Sequence, residues 1–236
     1  MNAFKIKNFA GGLNQSADDS LLSVNQSRDA QNVDVSSGTL KTISGYSKYI
    51  ATAAPAGITR LMKFYKNNTS TGAVTSYLLA ATATAIYYWT GSAWSALATG
   101  LTSGDWDYFN YQIGATDVVI MGNGADTMKK WDGTTFANLG GNPPNMKSVT
   151  LHSERIWGTG VKATPNSVYY SDTIGKGHTG PENWTIEEDR AGVINVPTWD
   201  GGVCIGISNI FSDVVIFKTN NIFRIVGTYP SVYEVK

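Results

Sequence analysis

Few side chains in this sequence have the types and spacing that catalysis requires. The two histidines, His152 and His178, lie outside any HExxH pattern, which argues against a zinc hydrolase site. The glycines on either side of Lys176 lack the spacing and the following Ser or Thr of a phosphate-binding loop, and the chain contains no GxSxG sequence. Cys204 is the only cysteine, which excludes an internal disulfide and a cysteine-rich zinc site. We therefore predict a protein that is not an enzyme and that holds no cofactor and no metal.

Two sets of acidic residues are candidates for calcium binding or for glycoside hydrolysis. The run Glu187-Glu188-Asp189 could offer oxygen ligands to calcium, but it lacks the spaced carboxylates of a calcium loop, and a solvated turn is the simpler interpretation. Four aspartates lie among aromatic residues and could supply the acid and the base of a glycosidase, although aspartate is also typical of strand ends and turns. These four are Asp105, Asp107, Asp117 and Asp126.

The seven tryptophans could form a platform for sugar rings. They are Trp89, Trp94, Trp106, Trp131, Trp157, Trp184 and Trp199. Three of them fall in a repeated frame, which favours packing between neighbouring sheets over carbohydrate binding. A protein that binds or hydrolyses glycans is the alternative function.

The repeated frame relates residues 86–97 (IYYWTGSAWSAL) to residues 128–139 (MKKWDGTTFANL). At a spacing of 42 residues it aligns Trp89 with Trp131, Gly91 with Gly133, Trp94 with Phe136 and Leu97 with Leu139. We interpret the frame as glycine turns whose flanking aromatic residues pack neighbouring sheets together, although such hairpins also occur in other antiparallel sheets.

Four units follow the N-terminal segment, and their predicted bounds are 46–100, 101–142, 143–200 and 201–236. Each unit divides into four short strand-like runs bounded by turn residues, and the fourth run of the third unit is placed at 184–188. Four strands in 40 to 50 residues are typical of a β-propeller blade. Runs that are apolar on both faces, such as DVVIM at 117–121, favour radial stacking over a two-sheet sandwich.

The predicted fold class is therefore all-β. It consists of propeller-like repeats of four-stranded antiparallel sheets over residues 46–236, preceded by an extended N-terminal arm over residues 1–45. The last predicted strand leaves the ring of sheets unfinished, and we expect either further chain or the N-terminal strands to close it.

Charge and hydropathy exclude some partners. Lys and Arg number 18 and balance 18 Asp and Glu, which argues against a dedicated nucleic-acid binder or a polybasic membrane-surface protein. No apolar run reaches the roughly 18 residues of a membrane span, and the N-terminus lacks the apolar run of a secretion signal.

The N-terminal segment carries an ordered pattern of letters, and a Val33-Asp34 run before Gly38 predicts a hairpin within it. The pattern comprises Lys7-Asn8, Gly11-Gly12-Leu13-Asn14-Gln15, Asp18 or Asp19, Gln26-Ser27-Arg28, Asn32, Gly38-x-Leu40 and Gly45, and it is followed later by Arg155-Ile156-Trp157, by NSVYYSD at 166–172 and by IFRIVG at 222–227. In this order the letters resemble the tail nozzle proteins of short-tailed bacteriophages, also called tail tubular protein B, and related phage tail hub proteins.

The resemblance implies a virion structural protein of the phage tail, assembled in the cytoplasm of the host bacterium. Copies would form a ring below the portal and adaptor, and the channel of that ring would retain and then conduct the genomic DNA without specific binding. The implied partners are further copies of the chain and the neighbouring tail and adaptor proteins, with no membrane. A neutral chain suits a channel that must not hold phosphates tightly.

Two segments are the predicted partner contacts. In the arm, the residues singled out are Gly11, Gly12, Asn14, Gln26, Arg28 and Asn32, because an extended polar segment can fold against a neighbouring subunit. In the third unit, the loop at 172–183 with His178 is the second candidate, because exposed loops on strand scaffolds carry many contacts. A solvated connection is the alternative interpretation of that loop.

Overall fold

The computed structural model describes residues 6, 8–35, 37–175, 177–228 and 230–236. The chain forms two compact units, Met1–Ala51 and Thr52–Lys236. Lys7, which belongs to the N-terminal pattern, and Lys176, which belongs to the predicted contact loop, fall outside the described residues.

The first unit contains two small two-stranded sheets. The strands are β1 (Gly12–Leu13), β2 (Gln26–Ser27), β3 (Val33–Asp34) and β4 (Lys41–Thr42). β1 and β2 are parallel, whereas β3 and β4 form an antiparallel hairpin where the sequence predicts one. A 3-10 helix, Asp19–Leu21, lies between β1 and β2. It begins after Asp18, whose carboxylate accepts a hydrogen bond from the Ser20 N–H at 3.0 Å and so satisfies a free backbone donor.

The second unit contains four antiparallel sheets of four strands among the residues described, and in each sheet the strands lie in chain order. The first sheet comprises β5 (Ile58–Asn67), β6 (Val74–Thr82), β7 (Ala85–Trp89) and β8 (Trp94–Thr99). The second comprises β9 (Asp107–Ile113), β10 (Thr116–Gly122), β11 (Lys129–Trp131) and β12 (Phe136–Asn138). The third comprises β13 (Ser148–His152), β14 (Arg155–Thr159), β15 (Ser167–Tyr170) and β16 (Gly192–Asn195). The fourth comprises β17 (Cys204–Ile210), β18 (Asp213–Lys218), β19 (Ile222–Val226) and β20 (Glu234–Val235). The predicted all-β class with repeated four-stranded antiparallel sheets is confirmed.

One predicted strand is wrong. The fourth strand of the third sheet is β16 and not residues 184–188. Gly192 at the start of β16 pairs with Tyr170, and a Cβ at this glycine would lie 2.2 Å from the Tyr170 hydroxyl oxygen, so a larger residue here would require the buried Tyr170 ring to shift. Before β16 the chain turns at Asp189, whose φ of 60° is uncommon for a residue with a side chain.

Buried apolar clusters fill the spaces between successive sheets. β10 shows the principle, because Val119 and Met121 pack toward the first sheet while Val118 and Ile120 pack toward the third. In the part of the chain that the structure describes there are three such clusters: one between the first and second sheets, one between the second and third, and one between the third and fourth. Strands that are apolar on both faces therefore have both faces covered.

The first strands of the four sheets are joined in series by side chains. Arg60 on β5 lies 3.4 Å from Asp107 on β9 (Nη2 to Oδ1). The Ser148 hydroxyl on β13 donates to the other Asp107 oxygen at 2.9 Å, and the same hydroxyl accepts from the Ile207 N–H on β17 at 3.2 Å. The sheets therefore meet at their first strands.

Helical structure in the described residues is limited to two 3-10 helices, Asp19–Leu21 and Pro230–Val232. Neither has the length of about 20 apolar residues that a membrane-spanning helix needs. Within the described ranges, no helix could span a membrane.

Candidate interaction surfaces

Four of the arm residues singled out from the sequence come together around β1 and β2. A Cβ on Gly11 would lie 2.6 Å from the Asn25 carbonyl oxygen, so the chain can approach this closely only with glycine at that position. Gly12 has a φ of 63°, which also favours glycine. The Asn14 side-chain amide donates to Oε1 of Gln26 at 3.3 Å and so joins the ends of the two strands. These residues stabilise the local structure of the arm.

The other two arm residues act at separate places. Arg28 forms an ion pair with Asp19, and both side chains are largely exposed. Asn32 has a φ of 56°, and its carbonyl oxygen accepts from the Ile43 N–H at 3.0 Å, which extends the hairpin of β3 and β4. The contact of these six residues with a partner stays a prediction.

The arm also has an apolar groove of about 640 Å³. Phe9, Leu13, Val24, Val33 and Leu40 are among the residues that line it. Leu13, Val24 and Leu40 are each more than half exposed. An apolar groove with exposed aliphatic walls is the kind of surface on which a protein segment can pack.

His178 belongs to a hydrogen-bond network around one buried carboxylate. Its Nδ1 lies 2.7 Å from Oδ1 of Asp172, whose side chain is fully buried. The Thr173 N–H donates to the same oxygen at 2.8 Å, while the Thr179 N–H and the Asn183 amide donate to Oδ2 at 3.0 and 3.3 Å. Burial alone would raise the pKa of Asp172, but these donors outweigh it and lower the pKa to about 2. This network holds Thr173, His178, Thr179 and Asn183 of the loop at 172–183 around the Asp172 carboxylate.

Arg155 ties this loop to the turn that precedes β16. The guanidinium is buried and donates to the carbonyl oxygens of Ser171, Asp189 and Arg190 at 2.7 to 3.0 Å. It also lies over the Tyr170 ring, 5.8 Å from the ring centroid. An arginine that donates hydrogen bonds to three backbone carbonyl oxygens holds an irregular connection in one conformation. The sequence resemblance includes Arg155, but its three acceptors are known only from the tertiary structure.

The acidic run contributes to turns. Glu187 forms an ion pair with Arg190 at 3.2 Å, and the Asp189 backbone carbonyl accepts from Arg155. Among the described residues, no three side chains of His, Cys, Asp or Glu converge on a point where a metal ion could bind.

Each of the four aspartates considered for glycosidase chemistry binds a different group. Asp105 pairs with Lys147, and Asp107 accepts from Ser148. Asp117 accepts from the Asn67 N–H at 2.6 Å, and Asp126 accepts from Thr102 and Asn123. They therefore contact other strands and turns.

The two copies of the repeat frame occupy different environments. Trp131 is almost fully buried between the first and second sheets, where its ring lies 5.6 Å from Phe64 and 5.1 Å from Tyr77, and Phe136 packs against the same cluster. Trp89 and Trp94 pair with each other across β7 and β8 with ring centroids 5.5 Å apart, and both are partly exposed.

The glycines of the frame show the same contrast. A Cβ on Gly133 would lie 3.2 Å from the Lys66 side chain and 3.5 Å from Phe64, both in the first sheet. A Cβ on Gly91 would meet no described atom within 4 Å. The turn of the second sheet therefore contacts its neighbour, and the equivalent turn of the first sheet is open.

The remaining tryptophans do not form a common platform. Trp106 and Trp157 are buried in different clusters between sheets, and Trp184 packs against the cluster between the second and third sheets. Trp199 is 77% exposed and lies at the edge of Phe223. Only Trp89 and Trp94 form a tryptophan pair among the described ring contacts.

Sequence reasoning missed one buried ion pair. The Lys218 side chain at the end of β18 is fully buried, and its ammonium lies 2.5 Å from Oδ1 of Asp200 and 2.5 Å from the Pro197 carbonyl oxygen. The hydrogen bond from Lys218 lowers the pKa of Asp200. A lysine at a strand end normally predicts exposure, so the sequence carried no signal for this pair.

The chain thus carries two kinds of surface that could contact partners: an arm with an apolar groove, and sheets whose outermost faces are partly exposed. The polar clusters described above serve internal structure. Comparison with family models, with curated proteins and with solved structures finds no match. The function is therefore inferred from the chain's own residues and contacts.

Proposed function

We propose that residues 52–236 form an arc of β-propeller blades and that the chain is a non-enzymatic structural subunit of a bacteriophage tail. The observation that carries the proposal is the serial joining of first strands through Arg60, Asp107, Ser148 and Ile207. In a propeller the blades meet at one strand each around a common axis. Buried clusters between successive sheets support the same arrangement.

A structural role agrees with the way the chain uses its charged residues. Asp107 and Asp117 each bind a neighbouring sheet, and Arg155 and Asp172 hold one long connection in place. The general acid and base of a glycosidase must face one another across a substrate, whereas these aspartates each contact a different strand or turn. This favours a scaffold over a glycosidase.

The tail assignment depends on the resemblance of the N-terminal pattern to phage nozzle and hub proteins. In this role copies of the chain would form a ring, the arm would contact neighbouring subunits or adaptor proteins, and DNA would pass through the channel. The balance of 18 basic and 18 acidic residues supports the last point, because each phosphate contact made by Lys or Arg adds affinity through counterion release.

Immunogold electron microscopy tests this function. Antibodies raised against the recombinant chain should label the tail of phage particles purified from a culture of the source, and mass spectrometry of those particles should detect its peptides. Preimmune serum is the control. Particles that contain portal protein but neither label nor peptides would contradict the assignment.

A further inference from the structure

We propose that the cleft between the first and second sheets, at the end where β5 joins β6 and β9 joins β10, binds a short neutral oligosaccharide. The cleft has a volume of about 450 Å³ and is lined by residues of both sheets. Ligand clefts in proteins commonly have volumes of roughly 300–1,000 Å³. The proposed function assigns no ligand to this cleft, so the two proposals can be tested separately.

The first wall of the cleft is the face of β5 and β6 that lies toward the second sheet. The pairing of these strands places Lys66 opposite Thr75 and Phe64 opposite Tyr77. Alternate residues of a strand share one face, so Lys66 and Thr75 lie on the same side of the sheet as the other pair. Phe64 and Tyr77 pack in the cluster between the two sheets. The cleft is therefore the open end of the space that this cluster fills.

The second wall is the hairpin of β9 and β10, which contributes Ala115, Thr116 and Asp117. The Asp117 carboxylate accepts from the Asn67 N–H of the first sheet at 2.6 Å (Oδ2) and from the Gln112 side-chain amide at 3.2 Å (Oδ1). The hydrogen bond from Asn67 joins the two walls. A ligand would therefore enter a preformed site, which lowers the entropic cost of binding.

Tyr77 contributes an aromatic ring to the cleft. It is partly exposed, and its ring is stacked on Phe64 with centroids 5.8 Å apart and meets Trp131 edge-on at 5.1 Å. These contacts hold the phenol ring in place. A fixed aromatic ring offers an apolar surface on which the C–H face of a sugar ring can pack.

The polar lining contains both hydrogen-bond donors and acceptors. Lys66 has an ammonium donor, and the Asp117 carboxylate has lone pairs beyond the two hydrogen bonds described. Amide and hydroxyl side chains supply groups of both kinds, and those that line the cleft are Asn67, Asn68, Thr69, Thr75 and Thr116. A sugar hydroxyl both donates and accepts, so it can use all of these groups.

The charges of the lining argue against ionic ligands. Lys66 and Asp117 are the charged residues that line the cleft in the described part of the chain. A phosphate or carboxylate ligand would be repelled by Asp117, and a cation would be repelled by Lys66. A neutral ligand meets neither repulsion. Together with the ring of Tyr77, this balance favours a neutral sugar over a nucleotide or a metal ion.

Isothermal titration calorimetry of the full chain tests the site with maltotriose, cellotriose and tri-N-acetylchitotriose, and with inorganic phosphate as an anionic probe. At least one of the sugars should bind saturably, and phosphate should not displace it. NMR spectra of the isotopically labelled chain should then show shifts of the Asn67 and Asn68 side-chain amides. The Asn220 amide, between β18 and β19, should not shift.

Two variants each remove one polar group from the cleft. Lys66→Ala and Thr75→Val should each weaken the binding of the responding sugar about threefold to tenfold, because each removes one hydrogen-bonding partner. Neither residue is buried, so the fold should persist, and circular dichroism and thermal melting check that it does. Lys63→Ala is the matched control, since Lys63 is exposed on the opposite face of β5 and should bind the sugar like wild type.

Four results would overturn the inference: no saturable binding of any of the three sugars, sugar-induced shifts that leave Asn67 and Asn68 unmoved, an affinity that is unchanged in both cleft variants or equally reduced in the control, or displacement of the sugar by phosphate. Immunogold labelling of the tail is independent of these results. A labelled tail with no sugar binding would contradict only the sugar site. Sugar binding by a chain that is absent from phage particles would contradict only the phage role.

Discussion

At the scale of single residues, the Asp107 carboxylate connects three sheets. It accepts from Ser148 and from the Val149 N–H at 3.0 Å on the third sheet, and it lies beside Arg60 on the first. Its own strand belongs to the second sheet. One acidic side chain therefore contacts residues of two neighbouring sheets as well as belonging to its own.

Replacement of Asp107 by alanine should lower the free energy of unfolding by about 1–3 kcal/mol, because a partly buried hydroxyl and a backbone N–H lose their acceptor. Urea denaturation followed by tryptophan fluorescence measures the change. Asp105→Ala is the control, since that carboxylate is exposed and its ion pair with Lys147 should contribute less than about 1 kcal/mol. Equal effects of the two substitutions would contradict the role given to Asp107.

Asp172 should make the stability of the fold depend on pH in the acid range. Its pKa of about 2 in the folded chain lies below the ordinary value of 3.8. As pH falls through this window the unfolded chain takes up the proton first, so the stabilisation from Asp172 is present above about pH 4 and is lost toward pH 2. Stability curves of Asp172→Asn should be flatter than wild type over this range, and an unchanged slope would contradict the assignment.

At the scale of elements, glycines decide how closely consecutive strands and connections approach. Gly122 ends β10, and a Cβ there would lie 2.4 Å from the Met146 carbonyl oxygen at the entry to the third sheet. Gly192 has the same role beside Tyr170. The pairing of Gly192 with Tyr170 lies at the start of β16.

Gly122→Ala should destabilise the chain by about 1–3 kcal/mol, because the obstructing atom is backbone and the second and third sheets must move apart. Thermal and urea unfolding both report this change. Gly57→Ala is a suitable control, since a Cβ at Gly57 meets no described atom within 4 Å. If both variants unfold at the same denaturant concentration, the absence of a side chain at Gly122 does not contribute to the free energy of unfolding, and the prediction is wrong.

At the scale of the whole molecule, the buried contacts between successive sheets lie within the second unit. The residues of its three clusters all lie within Thr52–Lys236, and the links between first strands lie there as well. A folded domain of this size has enough buried apolar area to be stable alone.

A chain that begins at Thr52 should therefore fold without the arm. We expect a β-type circular dichroism spectrum and a single cooperative melting transition. The full-length chain measured in the same buffer is the comparison. Loss of the cooperative transition on removal of residues 1–51 would show that the arm contributes to the fold of the second unit.

The sequence by itself determined the all-β class, the four-strand units and nearly every strand, because apolar runs broken by Gly, Asn and Asp turns are local signals. It also aligned Trp89 with Trp131, but it could not tell that Trp131 is almost fully buried between two sheets whereas Trp89 is partly exposed. Only the tertiary structure decided this, because burial depends on whether another sheet stands beside the residue. The Asp107 links could not be predicted because they form between different sheets, and the buried Lys218–Asp200 pair could not because its two residues lie 18 positions apart and meet only in the folded chain.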